Sequence, residues 1–178
     1  MITFQETYGI ITNSLVFKKF IQENTDAELV AGFFIIDFLS NDNKETLDYK
    51  LPEGKSDKIY TFELTRNKEV IMRQDKLIET DAPNQPKLTQ IKSEVKVDLN
   101  EIKEIAEKKA QENKITAKFH KIIAVLQNYE IDNENKLIWN LTCMLDQLII
   151  LHILINSDTG EIIKFERKSM MDFIRKSK

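Results

Sequence analysis

Two histidines, one cysteine and one acidic turn are the residues of this chain whose types could do chemistry. His152 stands inside an apolar run, where it could act as a base or a metal ligand. The sequence contains no Cys-x-x-Cys or His-Glu-x-x-His motif, and His120 belongs to a different predicted strand. A core or interface histidine with one hydrogen bond is therefore the simpler interpretation of His152.

Cys143 and the turn Asp158–Glu161 offer no stronger case for catalysis. A nucleophilic thiolate needs nearby positive charge and a base, and the sequence around Cys143 supplies neither, which predicts a small buried apolar residue. Calcium needs about six to eight oxygen ligands, so one acidic turn more simply reverses the chain. No glycine-rich phosphate loop is present. We therefore predict no catalytic residues, no metal and no cofactor.

Three residues could line a groove for a ligand, namely Tyr60, Trp139 and His152. Aromatic residues also fill protein cores without any ligand, and the core role is the favoured interpretation for Tyr60 and Trp139. The groove therefore remains a candidate to be tested by the positions of these side chains.

The densest apolar stretch of the chain runs from Leu137 to Phe165. Its first part alternates with a period of two, which is typical of a half-buried strand. From Leu148 to Ile155 every residue except His152 is apolar, which predicts cover on both faces. Either the first half of the chain or a second copy would supply that cover. We predict a homodimer, with a candidate interface formed by Ile149, Leu151, Ile153 and Ile155.

Composition narrows the class of protein further. The 178 residues are 42% hydrophobic, which is enough for a core, and the net charge of −3 with mixed signs argues against nucleic acid as a partner. No apolar run approaches the roughly 20 residues that cross a bilayer. The first residues lack a basic segment typical of a signal peptide, and a single cysteine fits a reducing compartment. We predict a cytoplasmic protein.

The clearest helix spans Asp98 to Asn113, where Asp98 and Glu101 resemble a capping box. An earlier helix is predicted over 12–24, with Asn13 or Ser14 as a possible cap and with a start as early as Phe4 left open. Residues 27–39 favour a strand, with a buried helix as the rival. Residues 40–58 predict either a long loop or a loop around a short edge strand over 46–51. Later strands are predicted over 59–65, 70–78, 122–126 and the 137–165 system, and a terminal helix over 170–178.

Two prolines in 80–87 predict the main boundary of the chain. We therefore expect a first helix-plus-sheet unit over 1–80, a connector over 81–97 and a second unit over 98–178. A gapless comparison sets Tyr60 against Trp139 and the turn at Asn67 against the turn at Asp146. This match suggests an internal duplication.

The second half resembles a PepSY domain, or more broadly a cystatin-like unit. The resemblance covers mainly residues 98–166 and rests on EIAEKKAQEN, on KLIWNLTCML and on a final strand pair closed by Ser157-Asp158-Thr159-Gly160-Glu161. It implies a small helix-on-antiparallel-sheet module that is often repeated in tandem and has no catalytic residues. Members of this family are associated with the inhibition or regulation of peptidases, mostly outside the cytoplasm.

These observations predict an α+β protein in which helices pack on an antiparallel sheet. The first functional hypothesis is a non-catalytic binding or regulatory module that acts on a protein partner through a sheet surface or edge. The alternative is a small-ligand binder or enzyme with a pocket between helix and sheet. A pocket with His120 or His152 beside carboxylates would favour the alternative, whereas filling by Trp139 and Phe119 would favour the first. An antitoxin-like role is a third option, suggested only by size and acidity.

Overall fold

The computed structural model describes residues 3–76, 88–92 and 94–169. The helices are α1 (Phe4–Asn13), α2 (Leu15–Glu23) and α3 (Leu99–Glu112). The strands are β1 (Glu28–Asp37), β2 (Lys44–Lys50), β3 (Lys58–Leu64), β4 (Val70–Lys76), β5 (Phe119–Ile131), β6 (Glu134–Leu145), β7 (Ile149–Asn156) and β8 (Ile162–Ser169).

All eight strands form one antiparallel sheet in the order β4-β3-β2-β1-β5-β6-β7-β8. Consecutive strands pair within each half, and β1 pairs with β5 in the middle, where Gly32 lies opposite Leu126. The α+β class with an antiparallel sheet is therefore confirmed, and the sheet dominates the fold.

The predicted capping box at the start of α3 is confirmed. The Asp98 side chain accepts from the backbone of the first turn, and the Glu101 carboxylate accepts from the Asp98 N–H at 2.9 Å. Of the apolar stripe that the spacing predicts, Ile102, Ala106 and Ala110 are buried in the main core, and Ile105 is partly buried. Leu99 at the start of α3 is buried as well.

Asp98 also caps the beginning of a second helix. Its Oδ1 accepts the N–H groups of Leu99 at 2.6 Å and of Phe4 at 2.7 Å, and its Oδ2 accepts that of Gln5 at 3.2 Å. The first N–H groups of a helix have no partner within the helix. One carboxylate therefore satisfies orphan donors of both α1 and α3 and holds the two N-termini together.

The helix predicted over 12–24 is confirmed as α2, and Ser14, one of its two candidate caps, is the N-cap. Ser14 has an extended backbone, and its hydroxyl accepts the N–H of Phe17 at 3.1 Å. The open alternative of a start near Phe4 corresponds to a separate helix, α1, which ends where Ser14 begins the next one. The spacing of apolar residues alone did not show that two helices meet at this serine.

Trp139 occupies the space between the helices and the sheet. It is fully buried, and its Nε1–H donates to the Val97 carbonyl at 2.8 Å. The rings of Phe34 and Phe4 lie 5.8 and 6.4 Å from it in edge contacts. Aromatic side chains from both halves thus share one core.

Two other predictions are decided by the sheet. Residues 27–39 are the strand β1, as favoured. The short strand near Thr46 was predicted to lie at an edge, but β2 lies between β1 and β3. Its charged residues alternate with buried Leu47 and Tyr49, so one face is apolar although the segment looks polar. The predicted boundary over 80–87 and the predicted helix over 170–178 lie outside the described residues.

The gapless comparison of the two halves sets against each other two strands that hold different positions in the sheet. It matches Tyr60 with Trp139, yet β3 is second from one edge of the sheet whereas β6 is third from the other. The constant offset therefore does not follow the order of the strands in the sheet.

Candidate interaction surface

The face of the sheet turned away from the core carries an apolar centre. We define this open face by six partly exposed side chains on three strands, β1, β5 and β7: Phe33, Ile35, Ile123, Val125, Ile150 and Leu154. Phe33 lies opposite Val125 and Ile35 opposite Ile123, which places them on the same side of the sheet. Their chain neighbours, such as Phe34, Ala124 and Ile153, are buried in the core.

Alternation explains why this surface exists. Successive residues of a strand point to opposite faces, so an all-apolar strand places apolar groups on both. In β1 and β7 the residues on both faces of the strand are mainly apolar. In the described part of the chain, the helices contribute their buried residues only to the core, which lies on the face opposite the open face. Asn140 and Thr142 of β6 separate the apolar residues of β5 from those of β7. Exposed apolar groups on one face of a sheet are typical of interaction sites.

Tyr129 closes the open face at one end. Its hydroxyl accepts hydrogen bonds from Asn140 Nδ2 at 2.8 Å and from Gln127 Nε2 at 3.1 Å. Because Tyr129 lies opposite Lys136 in the sheet, its ring must pass Ile138 to reach Asn140. This position explains how Ile138 is fully buried although it points away from the core.

His152 lies on the open face and is surrounded mainly by cations. Its Nδ1 is 3.4 Å from Thr142 Oγ1, and β8 places Glu166 directly opposite, between Lys164 and Lys168. Burial is the largest cause that lowers the pKa of His152, followed by Lys168 and Lys164, while Glu166 opposes them. The neutral imidazole is therefore favoured in the folded chain.

Folding stability should decrease as the pH falls below about 6.5, the ordinary pKa of histidine. The folded pKa of His152 is lower than the unfolded one, so the unfolded chain binds the extra proton first. The contribution of His152 to the free energy of unfolding is complete above the pKa of the unfolded chain, and it is lost as the pH falls toward the pKa of the folded chain. Urea unfolding of the unaltered chain and of His152→Gln at pH 7.5 and 5.5 measures this contribution. The variant should lose less stability between the two pH values, and equal losses would contradict the role of His152.

The four residues proposed for the interface lie in the core. Ile149 is 6% exposed, and Leu151, Ile153 and Ile155 are 0% exposed. Their side chains are therefore not available to a partner of the folded chain. The other half of the same strand, Ile150 and Leu154, is partly exposed and can contact a partner. The apolar run from Leu148 to Ile155 predicted that both faces of this strand are covered. Within the described residues, the chain covers only the core face.

The candidate groove of Tyr60, Trp139 and His152 is not assembled. Tyr60 packs on Phe20, with ring centroids 4.8 Å apart. Trp139 lies in the core four strands further along the sheet, and His152 is on the opposite face. The rings of Phe4 and Phe34 contact Trp139, so aromatic side chains occupy its surroundings.

The other reactive groups have structural surroundings. His120 Nε2 pairs with Asp146 Oδ1 at a partly exposed position at one end of β5. Burial raises the pKa of the Cys143 thiol to about 12, so the thiolate is disfavoured. Asp158 pairs with Lys96 at 2.6 Å, and Gly160 takes a positive φ of 75°, so this segment acts as a turn. Across the described ranges no three His, Cys, Asp or Glu side chains are grouped as metal ligands would be.

A shallow polar depression lies where the connector meets the sheet. Its volume is about 280 Å³, slightly below the range typical of small-molecule pockets, and it is open to solvent. The lining residues are Glu28, Thr89, Gln90, Lys92, Asn128 and Asn135. Asn128 already donates to the Thr89 hydroxyl at 3.1 Å and the Gln90 carbonyl at 2.9 Å, so it serves to fix the connector.

The sequence analysis missed the residues of the open face because it assigned the interface to the odd-numbered residues of β7, which are buried, rather than to Ile150 and Leu154. The alternation in β1, β5 and β7 could have identified two rows of apolar residues, one on each face of the sheet. Which row faces the helices depends on the pairing of β1 with β5, and no local pattern encodes that pairing.

Comparisons with known proteins support the fold but do not assign a family. No family model matches the chain, and no curated protein matches it. Among solved structures, the fold is similar to a crystal structure of a "putative lipoprotein" (CD1622) from Clostridium difficile 630, with a TM-score of 0.55 and 14% sequence identity. The match covers 86% of this chain and 90% of that one, so the likeness includes both halves of the sheet.

The described helices were also compared with the requirements for crossing a membrane. None of them combines the length and the apolar character of a membrane-spanning helix.

Proposed function

We propose that the chain is a non-catalytic binding module whose open face contacts a protein partner. The observation that carries this proposal is the partly exposed apolar face of a sheet whose described helices all bury their apolar stripes on the other side. Apolar side chains interspersed with polar ones such as Asn140 and Thr142, and bordered by Thr46, are typical of the surface of a protein interface.

A photocrosslinking residue placed at Val125 tests the proposal in cells of the organism that encodes the chain. Val125 is central to the open face, so its replacement by benzoylphenylalanine should give an adduct with another protein. The matched control carries the same residue at Lys108, which is exposed on α3. The control should give no such adduct.

Three results would contradict the proposal. They are the absence of an adduct at Val125, an equal pattern of adducts at Val125 and Lys108, and an adduct only with a second copy of this chain. Mass spectrometry of the adduct separates the last case from the expected one.

The PepSY resemblance suggests that this partner is a peptidase and that binding regulates it. Identification of the adduct tests this narrower statement separately. A peptidase whose activity changes on addition of the purified chain would support it, and a partner of another class would contradict it while leaving the binding role intact.

We also propose that the chain is a tandem duplication, with β1 to β4 equivalent to β5 to β8. The mirrored strand order supports this, since each half starts at the centre of the sheet and ends at an edge. Helices precede the strands in both halves. Superposition of the halves in an experimental structure should align β1 with β5, and failure of that alignment would contradict the duplication.

A cytoplasmic location remains our proposal from the sequence. The buried Cys143 is consistent with it, although the similar Clostridium difficile protein is described as a "putative lipoprotein". Fractionation of native cells decides between the two, and recovery of the chain with the membrane would contradict the cytoplasmic proposal.

A further inference from the structure

Strand β4 forms one edge of the sheet and is exposed along nearly its whole length. Among the described strands it pairs only with β3, and six of its seven residues are exposed. The outer N–H and C=O groups of an edge strand point away from the sheet. Such an edge can therefore accept another strand through main-chain hydrogen bonds.

The sequence of β4 is complementary to itself in antiparallel pairing. Residues 72–76 read Met-Arg-Gln-Asp-Lys. When two copies pair about Gln74, each Arg73 lies directly opposite the partner's Asp75. Directly opposite residues have Cβ atoms about 5 Å apart on the same face, which lets their charged groups meet. The two-fold relation makes this ion pair twice.

Both charges are accessible for such a pair. The Arg73 side chain is 62% exposed, and its guanidinium reaches Glu63 Oε2 of its own chain at 2.8 Å. Asp75 has no ion pair within the described residues. Burial raises the pKa of the Asp48 carboxyl, and the negative charge of Asp75 raises it further. A cation from another copy would balance this local excess of negative charge.

Exposed apolar side chains lie along the same edge. Ile71 and Met72 are 37% and 42% exposed. Next to β4 lies α2, whose first residues Leu15 and Val16 are also exposed. A two-fold axis through Gln74 and perpendicular to the sheet would place both α2 helices on the same side and next to each other. Pairing of the edges would then remove apolar surface from water.

We propose that the chain forms a two-fold symmetric dimer by antiparallel pairing of β4 about Gln74, with Arg73 of each copy bound to the partner's Asp75. The two sheets then become continuous. This dimer uses an edge of the sheet and leaves the open face free, so it does not depend on the proposed binding of another protein.

Light scattering on a size-exclusion column across a dilution series tests the dimer, and charge reversal tests its register. The unaltered chain should elute at twice the mass of one chain. Arg73→Asp and Asp75→Arg should each increase the dissociation constant about tenfold or more, because each places two like charges opposite each other. The double variant Arg73→Asp/Asp75→Arg restores opposite charges and should restore the dimer.

Arg66→Asp provides the matched control, because it makes the same charge change on an exposed turn away from the edge. It should leave the dimer unchanged. Thermal melts confirm that every variant folds, as expected for exposed positions. A monomer at all concentrations overturns the dimer, a dimer that survives both single reversals overturns its location, and a folded double variant that stays monomeric overturns the register.

Discussion

Ile153→Lys is expected to leave the chain largely unfolded. The Ile153 side chain is 0% exposed and lies between buried Leu141 and partly buried Phe165 on the neighbouring strands. An amine at this position must lose its hydration or its charge, and the loss of stability should be roughly 4 kcal/mol or more. That is a large share of the stability of a typical domain, about 5–15 kcal/mol. Urea unfolding followed by circular dichroism measures the change.

Leu154→Lys is the matched control at the next residue of the same strand. Leu154 points to the open face, where a lysine can extend its amine into water, so the change should cost less than about 1 kcal/mol. This variant should also lose the adduct formed from the crosslinker at Val125, because it places a charge in the apolar centre. Similar unfolding of Ile153→Lys and Leu154→Lys would refute the assignment of the two faces.

Asp98→Ala is expected to destabilise both halves of the helical layer at once. The substitution removes acceptors for the N–H groups of Phe4, Gln5 and Leu99. Loss of one N-cap costs about 1 kcal/mol, so two helices together should lose roughly 2 kcal/mol. For a chain of this size the melting temperature should fall by about 4–8 °C, which calorimetry measures.

Thr3→Ala separates the shared role of Asp98 from ordinary capping. The Thr3 hydroxyl accepts from Glu6 N–H at 3.1 Å and serves α1 alone. It should cost about half as much as Asp98→Ala. Asp98→Asn keeps a single acceptor oxygen and should lie between the two. If Asp98→Ala melts no lower than Thr3→Ala, the carboxylate does not stabilise both helices.

Local chemistry made several elements predictable from the sequence. Asp98 and Glu101 indicated the start of α3 because both partners of a capping box lie within one turn. The alternation in β3 and β6 was equally readable, since polar residues such as Thr61, Asn140 and Thr142 mark one face. The prediction that Cys143 and Trp139 belong to the core followed from the apolar residues around them.

The remaining features depend on contacts between distant parts of the chain. Phe4 meets the Asp98 carboxylate only after folding, so the second helix that Asp98 caps had no signal in the sequence. Between Ile149 and Ile155 of β7 only His152 is polar, and one histidine could not indicate which face is open. β2 looked peripheral because Lys44, Asp48 and Lys50 lie on the open side, while Leu47 is completely buried on the other.

The central position of β1 and β5 also has a consequence for the order of folding. Every other strand pair joins sequence neighbours, whereas Gly32 meets Leu126 across most of the chain. Local hairpins close with little loss of chain entropy, but the β1–β5 contact requires a long loop to close first. Contacts of high sequence separation slow folding. The two meanders should therefore form early and independently of each other, and the rate of reaching the native sheet should be set by the pairing at its middle.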